Sequence, residues 1–531
     1  MSPHPASSRE QRTKLMTALK SLAEAPAPLP VEKIHQFITL ENQLYPLLSQ
    51  NLHWFFTQAE GTDAIQFARD MHVLHSFTAK TLEQLVARRS EWSPSEDDLL
   101  LHKVIAYALF HYSATIKWCF FRHEPVKPSV WPELHNLFQF AEAHHFAAQR
   151  VLLFDNEARY KTSVQSLYLR ALLLDILNTG SLSMVQIEVA DGWLADWTLD
   201  YILDTTYVPA SHALMVDLAS SAGMRLVTDG RSEITHRYLR IDNLREQMEA
   251  LRAELRSGNT RQWRGTANAF SVEEHVVLLA TIERLYQTLL QASASRIEQR
   301  NTVSNLLATV YTGYSGILQA ITAPAPASPE PAPLSTDSDN SFDLLLPDLR
   351  YNPTSNDATS NHSADITPPT AARWQIHDTS SKGLALLVDQ KVVNNLKVGQ
   401  VLAVKPDGFE HWMMGVIVRK LVQRDHLETL LGVEILSFRP LPINLERYAR
   451  PIDDSPDIDS APIQAIYLPA PEDDGKSDML VLPIGDFGRK TVFALKTQHG
   501  IFRIRLNRVL RKGPDWVGLR FEVIEKIDAV S

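Results

Sequence analysis

A carboxylate, a hydroxyl and a glycine stand at fixed spacing in Asp378-Thr379-Ser380-Ser381-Lys382-Gly383. This D-x-S-x-x-G pattern offers two polar side chains for hydrogen bonding and a residue whose missing Cβ lets another group approach closely. On residue types alone it also reads as a strand-end turn, with Asp378 and Ser380 bonded to local backbone and Gly383 at positive φ. Other chemistry-bearing segments carry less. Ala470-Pro471-Glu472-Asp473-Asp474-Gly475-Lys476-Ser477 nearly spells a phosphate-binding loop. It lacks the first glycine, sets two carboxylates against the phosphates and precedes no helical pattern. His144-His145 beside Glu142 does not have the spacing of a helical zinc site, and no metal is expected. Arg261, Trp263 and Arg264 form a basic aromatic spot among mixed charges. There is no G-x-S-x-G, no G-x-G-x-x-G before a helix and no paired catalytic motif, so the expectation is a protein that is not an enzyme and needs no cofactor.

The motif must be held by strands, and the C-terminal part of the chain supplies them. After Arg373 the apolar period becomes two, in Trp374-Gln375-Ile376-His377-Asp378, Val401 to Val404, Trp412 to Arg419 and Glu428 to Leu436. Turn signals fall between, at Lys397-Val398-Gly399 and Lys405-Pro406-Asp407-Gly408. Short strands at this spacing predict an antiparallel barrel or sandwich. Beyond the acidic loop Asp453 to Asp459, more strand-like runs follow, and 451–531 either extends the first barrel or forms a further β unit packed on it.

Upstream, from about Arg9 to Ile321, apolar residues recur at three and four. Ile65, Phe67, Ala68, Met71, Leu74 and Phe77 form one stripe, and Leu278, Leu279, Ile282, Leu285, Tyr286, Leu289 and Leu290 another. Start signals at Ser93-Pro94-Ser95-Glu96 and Ser271-Val272-Glu273-Glu274, and breaks at Asn178-Thr179-Gly180 and Ser257-Gly258-Asn259, complete the pattern. The expected fold is therefore multidomain α + β. An all-helical region spans 1–321, as a bundle or helical-repeat-like stack, and a first barrel spans 372–450. Between them, 322–371 is rich in Pro, Ser and Asp and reads as a disordered tether. Its apolar island Phe342-Asp343-Leu344-Leu345-Leu346-Pro347 is either a docking segment or a short helix without a partner.

A net charge of −10 argues against broad binding to DNA, RNA or an anionic membrane. One cysteine, Cys119, cannot form an internal disulfide; its aromatic neighbours point to a buried thiol and low cysteine use to the cytoplasm. No secretory signal is read at the N-terminus, and no stretch approaches a membrane span, the most apolar run Leu167 to Leu177 being broken by Arg170 and Asp175.

With the strands that follow it, at Gly399 to Leu402, Trp412 to Arg419 and Gly432 to Leu436, the motif resembles the PilZ family of bacterial β-barrel domains over about residues 372–445. The resemblance implies a receptor for cyclic di-GMP, in which D/N-x-S-x-x-G and an upstream R-x-x-x-R grip two phosphates and two guanines. Arginine suits that task because its planar fork binds phosphate bidentately, stacks on a base and matches the guanine Hoogsteen edge. Asp378, Ser380 and Gly383 take the first motif's places. No R-x-x-x-R lies just upstream; Arg252 to Arg256 fits the spelling but reads as a solvated helix face. Cations must then come from Arg350, Arg373, Lys382 or Arg419, and Arg373 and Arg419 complete the expected ligand site. The favoured expectation is a cyclic di-GMP-responsive signalling adaptor whose helical region holds a protein partner. The competing one is a ligand-free scaffold with a degenerate PilZ fold.

Overall fold

The computed structural model describes residues 5–26, 31–57, 59, 61–91, 98–154, 161–177, 180–209, 211–227, 232–257, 275–291, 301–322, 371–380, 383–393, 395–423, 427–447, 462–469, 478–484, 492–497 and 500–527. The expected tether, its apolar island, the phosphate-loop look-alike, the Arg261–Arg264 spot, both predicted helix starts, Arg350 and Lys382 lie outside these residues.

Helices α1 (Pro5–Ala23), α2 (Val31–Thr57), α3 (Gly61–Ala87), α4 (Asp98–Phe121), α5 (Val130–Ala143), α6 (Val164–Leu177), α7 (Met184–Trp197), α8 (Asp242–Arg256) and α9 (His275–Gln291) build the N-terminal region. The stripe read on α3 packs as expected, with Phe67, Ala68, Met71 and Leu74 buried. At the centre lies α4, whose run Val104 to Leu109 is buried on all sides and packs against α3 and α6. A helix apolar all round belongs in a core. Its stretch Leu99–Phe121 is long and apolar enough to cross a membrane, which corrects the expectation that no segment comes near. Yet 78% of its apolar window is buried inside the fold, as in a core helix. Cys119 is buried there, and burial pushes its thiol up to about 11. One buried charge cluster crosses this core: Lys117 Nζ lies 2.9 Å from Glu188 and 2.7 Å from Asp191, and Arg170 also grips Asp191.

The fold class is the expected one, a helical region followed by antiparallel barrels, but three stretches read as helical are strands. Strands β1 (Val151–Leu152) and β2 (Lys161–Thr162) form a small pair. Strands β3 (Leu203–Asp204), β4 (His212–Asp217), β5 (Arg225–Leu226) and β6 (His236–Arg240) form a four-stranded sheet in the order β3-β6-β4-β5. The third stretch matters most. Residues Asn301–Thr312 are strand β7, followed by helix α10 (Gly313–Thr322). Leu306, Ala308 and Val310 face the first barrel's core, while Leu307 between them is exposed. This alternation of period two, with β-branched Thr and Val, is a strand pattern.

Strand β7 joins β8 (Ala372–Ser380), β9 (Gly383–Asp389), β10 (Val401–Pro406), β11 (Met413–Val422) and β12 (Glu428–Ser437) in a closed barrel, ordered β10-β11-β12-β9-β8-β7. Short helix α11 (Gln390–Val393) lies between β9 and β10. Residues 301–322 thus belong with the barrel, and the boundary expected at 321 moves upstream. The Pro-rich stretch is an insertion between the barrel's first and second strands.

Strands β13 (Leu441–Arg447), β14 (Ile463–Leu468), β15 (Met479–Pro483), β16 (Val492–Thr497), β17 (Gly500–Lys512) and β18 (Trp516–Ile527) close a second barrel. The alternative left open for 451–531 becomes a separate barrel that begins before 451. Helix α10 is wedged between the two barrels: Tyr314, Ile317 and Ala320 pack with Val401, Val416, Ile466 and Trp516. The Tyr314 hydroxyl lies 2.7 Å from the Gln464 carbonyl, and Trp516 Nε1 donates to the Gly399 carbonyl at 2.8 Å.

Candidate ligand site on the outer face of the first barrel

The D-x-S-x-x-G segment is the hairpin between β8 and β9, with Ser380 paired to Gly383. The Ser380 hydroxyl donates to the Gly383 carbonyl at 3.3 Å, and Asp378 Oδ2 lies 3.3 Å from His377 Nδ1. Gly383 is not at positive φ, contrary to the turn reading. It is required for a different reason: a Cβ there would sit 2.4 Å from the Val433 carbonyl oxygen of β12. The glycine admits close approach of the neighbouring strand.

Register then decides which side chains share the hairpin's face. Trp374, Ile376, Leu384, Leu386, Leu431, Val433 and Ile417 point into the barrel. An irregularity between Ile376 and Asp378 sets Asp378, itself buried, opposite Ala385; the fully buried Ala385 pairs with Gly432, and Gly432 with Arg419. Asp378, Ala385, Gly432 and Arg419 therefore form one row across four strands on the outer face, about 14 Å long at the usual strand spacing of about 4.8 Å. The next row runs from Ser380 through Gly383 to Glu434. Small residues make the floor, and a carboxylate and a guanidinium stand at its two ends.

Arg419 is outward only because of a second irregularity, between Ile417 and Arg419. That bulge sends Lys420 into the barrel, where its Nζ donates to the Val393 and Leu396 carbonyls at 2.9 and 3.2 Å, and burial lowers it to about 8. The same stretch meets the helical region. The Lys420 amide donates to the Gly180 carbonyl at 2.9 Å and the Val422 amide to the His123 carbonyl at 3.1 Å. Gly180 sits at φ +76, and a Cβ on it would lie 2.8 Å from the Lys420 oxygen and 3.4 Å from Arg419 Cγ.

Arg373 does not reach the site, which corrects that expectation. It lies five residues before Asp378 on β8, about 16 Å along a strand. Its guanidinium is bound to Asp407 at 2.5 and 2.7 Å and to Thr309 Oγ1 at 3.0 Å. Beside His144 and His145, Glu142 is held by Arg237 at 2.7 Å, and no group of three or more metal-capable side chains occurs among the described residues.

The sequence reading missed one motif. Arg296-Ile297-Glu298-Gln299-Arg300 spells R-x-x-x-R and ends one residue before β7 begins at Asn301. The side chains of these residues lie outside the description, but the backbone register beside them does not. Asn301 pairs with Thr379 and Thr302 with Asp378. The insertion after β7 separates the two motifs in sequence, and strand pairing puts the residue that follows Arg300 directly opposite the hairpin. Period two from Leu306 to Val310 was the signal that would have found it.

A six-stranded antiparallel barrel with D-x-S-x-x-G at its β8–β9 hairpin is that of a PilZ-domain protein. Residues 336–442 match the middle PilZ domain of the cyclic-di-GMP receptor FimW, and residues 2–204 match the N-terminal domain of that receptor. The two matches together span more than half of the chain, and the chain belongs to this receptor family. The PilZ match begins after β7, so Arg296, Arg300 and the first barrel strand lie outside it. No curated protein and no solved structure matches the chain.

Proposed function

We propose that the chain is a cyclic di-GMP-responsive signalling adaptor of the cytoplasm. It binds the dinucleotide on the outer face of the first barrel, contacts a protein partner through the helical region and catalyses no reaction. One observation carries this reading: the Asn301–Thr379 pairing, which sets the residue after R-x-x-x-R opposite D-x-S-x-x-G. Arg296 and Arg300 supply the phosphate- and guanine-binding forks, and Asp378 and Ser380 meet guanine donors. Arg419 closes the far end of the row. The scaffold reading rested on missing arginines, and Arg296 and Arg300 remove that ground.

Calorimetry of cyclic di-GMP against the full chain at physiological salt tests it. Micromolar affinity is expected. Arg300→Ala and Asp378→Ala each remove a charge-assisted bond of about 1.5–3 kcal/mol, so each weakens binding by about 10-fold or more. The absence of binding heat, or affinity unchanged in both variants, overturns the reading.

A further inference from the structure

The outer row does not end at the first barrel. Glu434, opposite Gly383, is held bidentately by Arg511 of the second barrel, at 2.9 and 2.6 Å. From the helical region, Arg284 on α9 donates to the Ser181 carbonyl, one residue from the Gly180 that packs on Arg419 Cγ. Burial lowers the Arg284 guanidinium from its usual range; Glu434 opposes this, and the Arg511 charge adds to it. Arg284 thus shares the electrostatic neighbourhood of the Glu434–Arg511 pair. Arg284, Arg419 and Arg511 come from three parts of the chain, and Glu434 is bonded to the last. An arginine fork already seated on a carboxylate, with a second guanidinium close enough to act on the same pair, can hold another anion of that geometry.

We propose that the nucleotide site is composite: Arg511 of the second barrel and Arg284 of the helical region are ligand-binding residues, and Glu434 occupies Arg511 until a ligand phosphate replaces it. This rests on the reading that the first barrel binds cyclic di-GMP. Glu434 then acts as an internal competitor whose carboxylate takes the bidentate geometry that a phosphate takes on the same fork. A ligand that replaces it bridges both barrels and the helical region, so its binding energy acts on the arrangement of all three.

The sign of one substitution separates this from a merely structural ion pair. Calorimetry with cyclic di-GMP on the full chain compares wild type, Asp378→Ala, Arg511→Ala and Glu434→Gln, with thermal melting as a check on folding. Arg511→Ala is expected to weaken binding about 10-fold or more. Glu434→Gln, which keeps shape and removes the competing charge, is expected to tighten it several-fold. If wild type binds and Asp378→Ala does not, but Glu434→Gln fails to tighten binding or Arg511→Ala leaves it unchanged, the composite site is overturned and the receptor reading stands. If wild type does not bind, both fall.

Discussion

Gly383→Ala tests the register on which the site rests. The added methyl would stand 2.4 Å from the Val433 carbonyl oxygen, inside the 3.0 Å that real Cβ contacts essentially never cross. The obstacle is backbone of the adjacent strand, so no rotamer change relieves it. Either β9 or β12 must move by more than half an ångström, and β9 is also paired to β8 on its other side. Overpacking of this kind destabilises by about 1–3 kcal/mol. For a unit of this size each kcal/mol lowers Tm by about 2–4 °C, so a fall of about 2–12 °C is expected. Thermal unfolding of the full chain, followed by tryptophan fluorescence, reads it, because Trp374 lies buried in this barrel. A Tm within about 1 °C of wild type, with unchanged fluorescence, would mean that Gly383 does not face Val433. The Gly383–Glu434 pairing, and the composite site built on it, would then be wrong.

Two further predictions concern the helical region. Burial raises Asp175 to about 6, above its unfolded value near 4. The stability linked to its proton is fully present below about pH 4 and is lost as pH rises through 6. Asp175→Asn should therefore stabilise the chain at pH 7 by about 2–3 kcal/mol and change little at pH 3.5, as read by urea unfolding at the two pH values; equal effects at both would refute the shift. Lys117→Met leaves Glu188 buried without its 2.9 Å partner and should cost about 3–5 kcal/mol, while Lys117→Met with Glu188→Leu should recover most of that; Tm of the two variants decides, and no recovery would sink the pairing argument.

Much of this fold was legible because burial imposes a period. The α3 stripe and the strands after Arg373 announce themselves, since one face of each meets a core. Strand β7 was not read, because it follows the long helical α9 and its barrel partners lie beyond a Pro-rich insertion. Sequence proximity is what a motif search uses, and the insertion breaks it. The same error hid Arg296 and Arg300 and made Arg373 seem the nearest cation. Arg373 lay close in sequence to the motif, but an extended strand carries five residues about 16 Å, and its side chain is engaged by Asp407. Glu434 and Arg511 had no local signature at all, for their pairing joins residues 77 positions apart on two barrels.

Strand β11 shows why the site and the domain contacts are physically linked. Val416 packs toward α10 and the second barrel, while Ile417 fills the first barrel. With strict alternation Arg419 would follow Ile417 inward and Lys420 would point out. The irregularity after Ile417 reverses both, which is what a bulge does to the side chains that follow it. It places Arg419 opposite Gly432 on the outer row and directs the Lys420 and Val422 amides to the Gly180 and His123 carbonyls. Lys420 then anchors the turn from inside through two carbonyls. A ligand that draws on Arg419 acts on the segment that holds the helical region. It can shift the domain arrangement only by its difference in affinity for the two states, and this bulge is where that difference would arise. Gly180→Ala should expose the dependence. Its Cβ would stand 2.8 Å from the Lys420 carbonyl oxygen and 3.4 Å from Arg419 Cγ, so the helical contact and ligand binding should weaken together in limited proteolysis and calorimetry. Loss of only one would show that the two are independent.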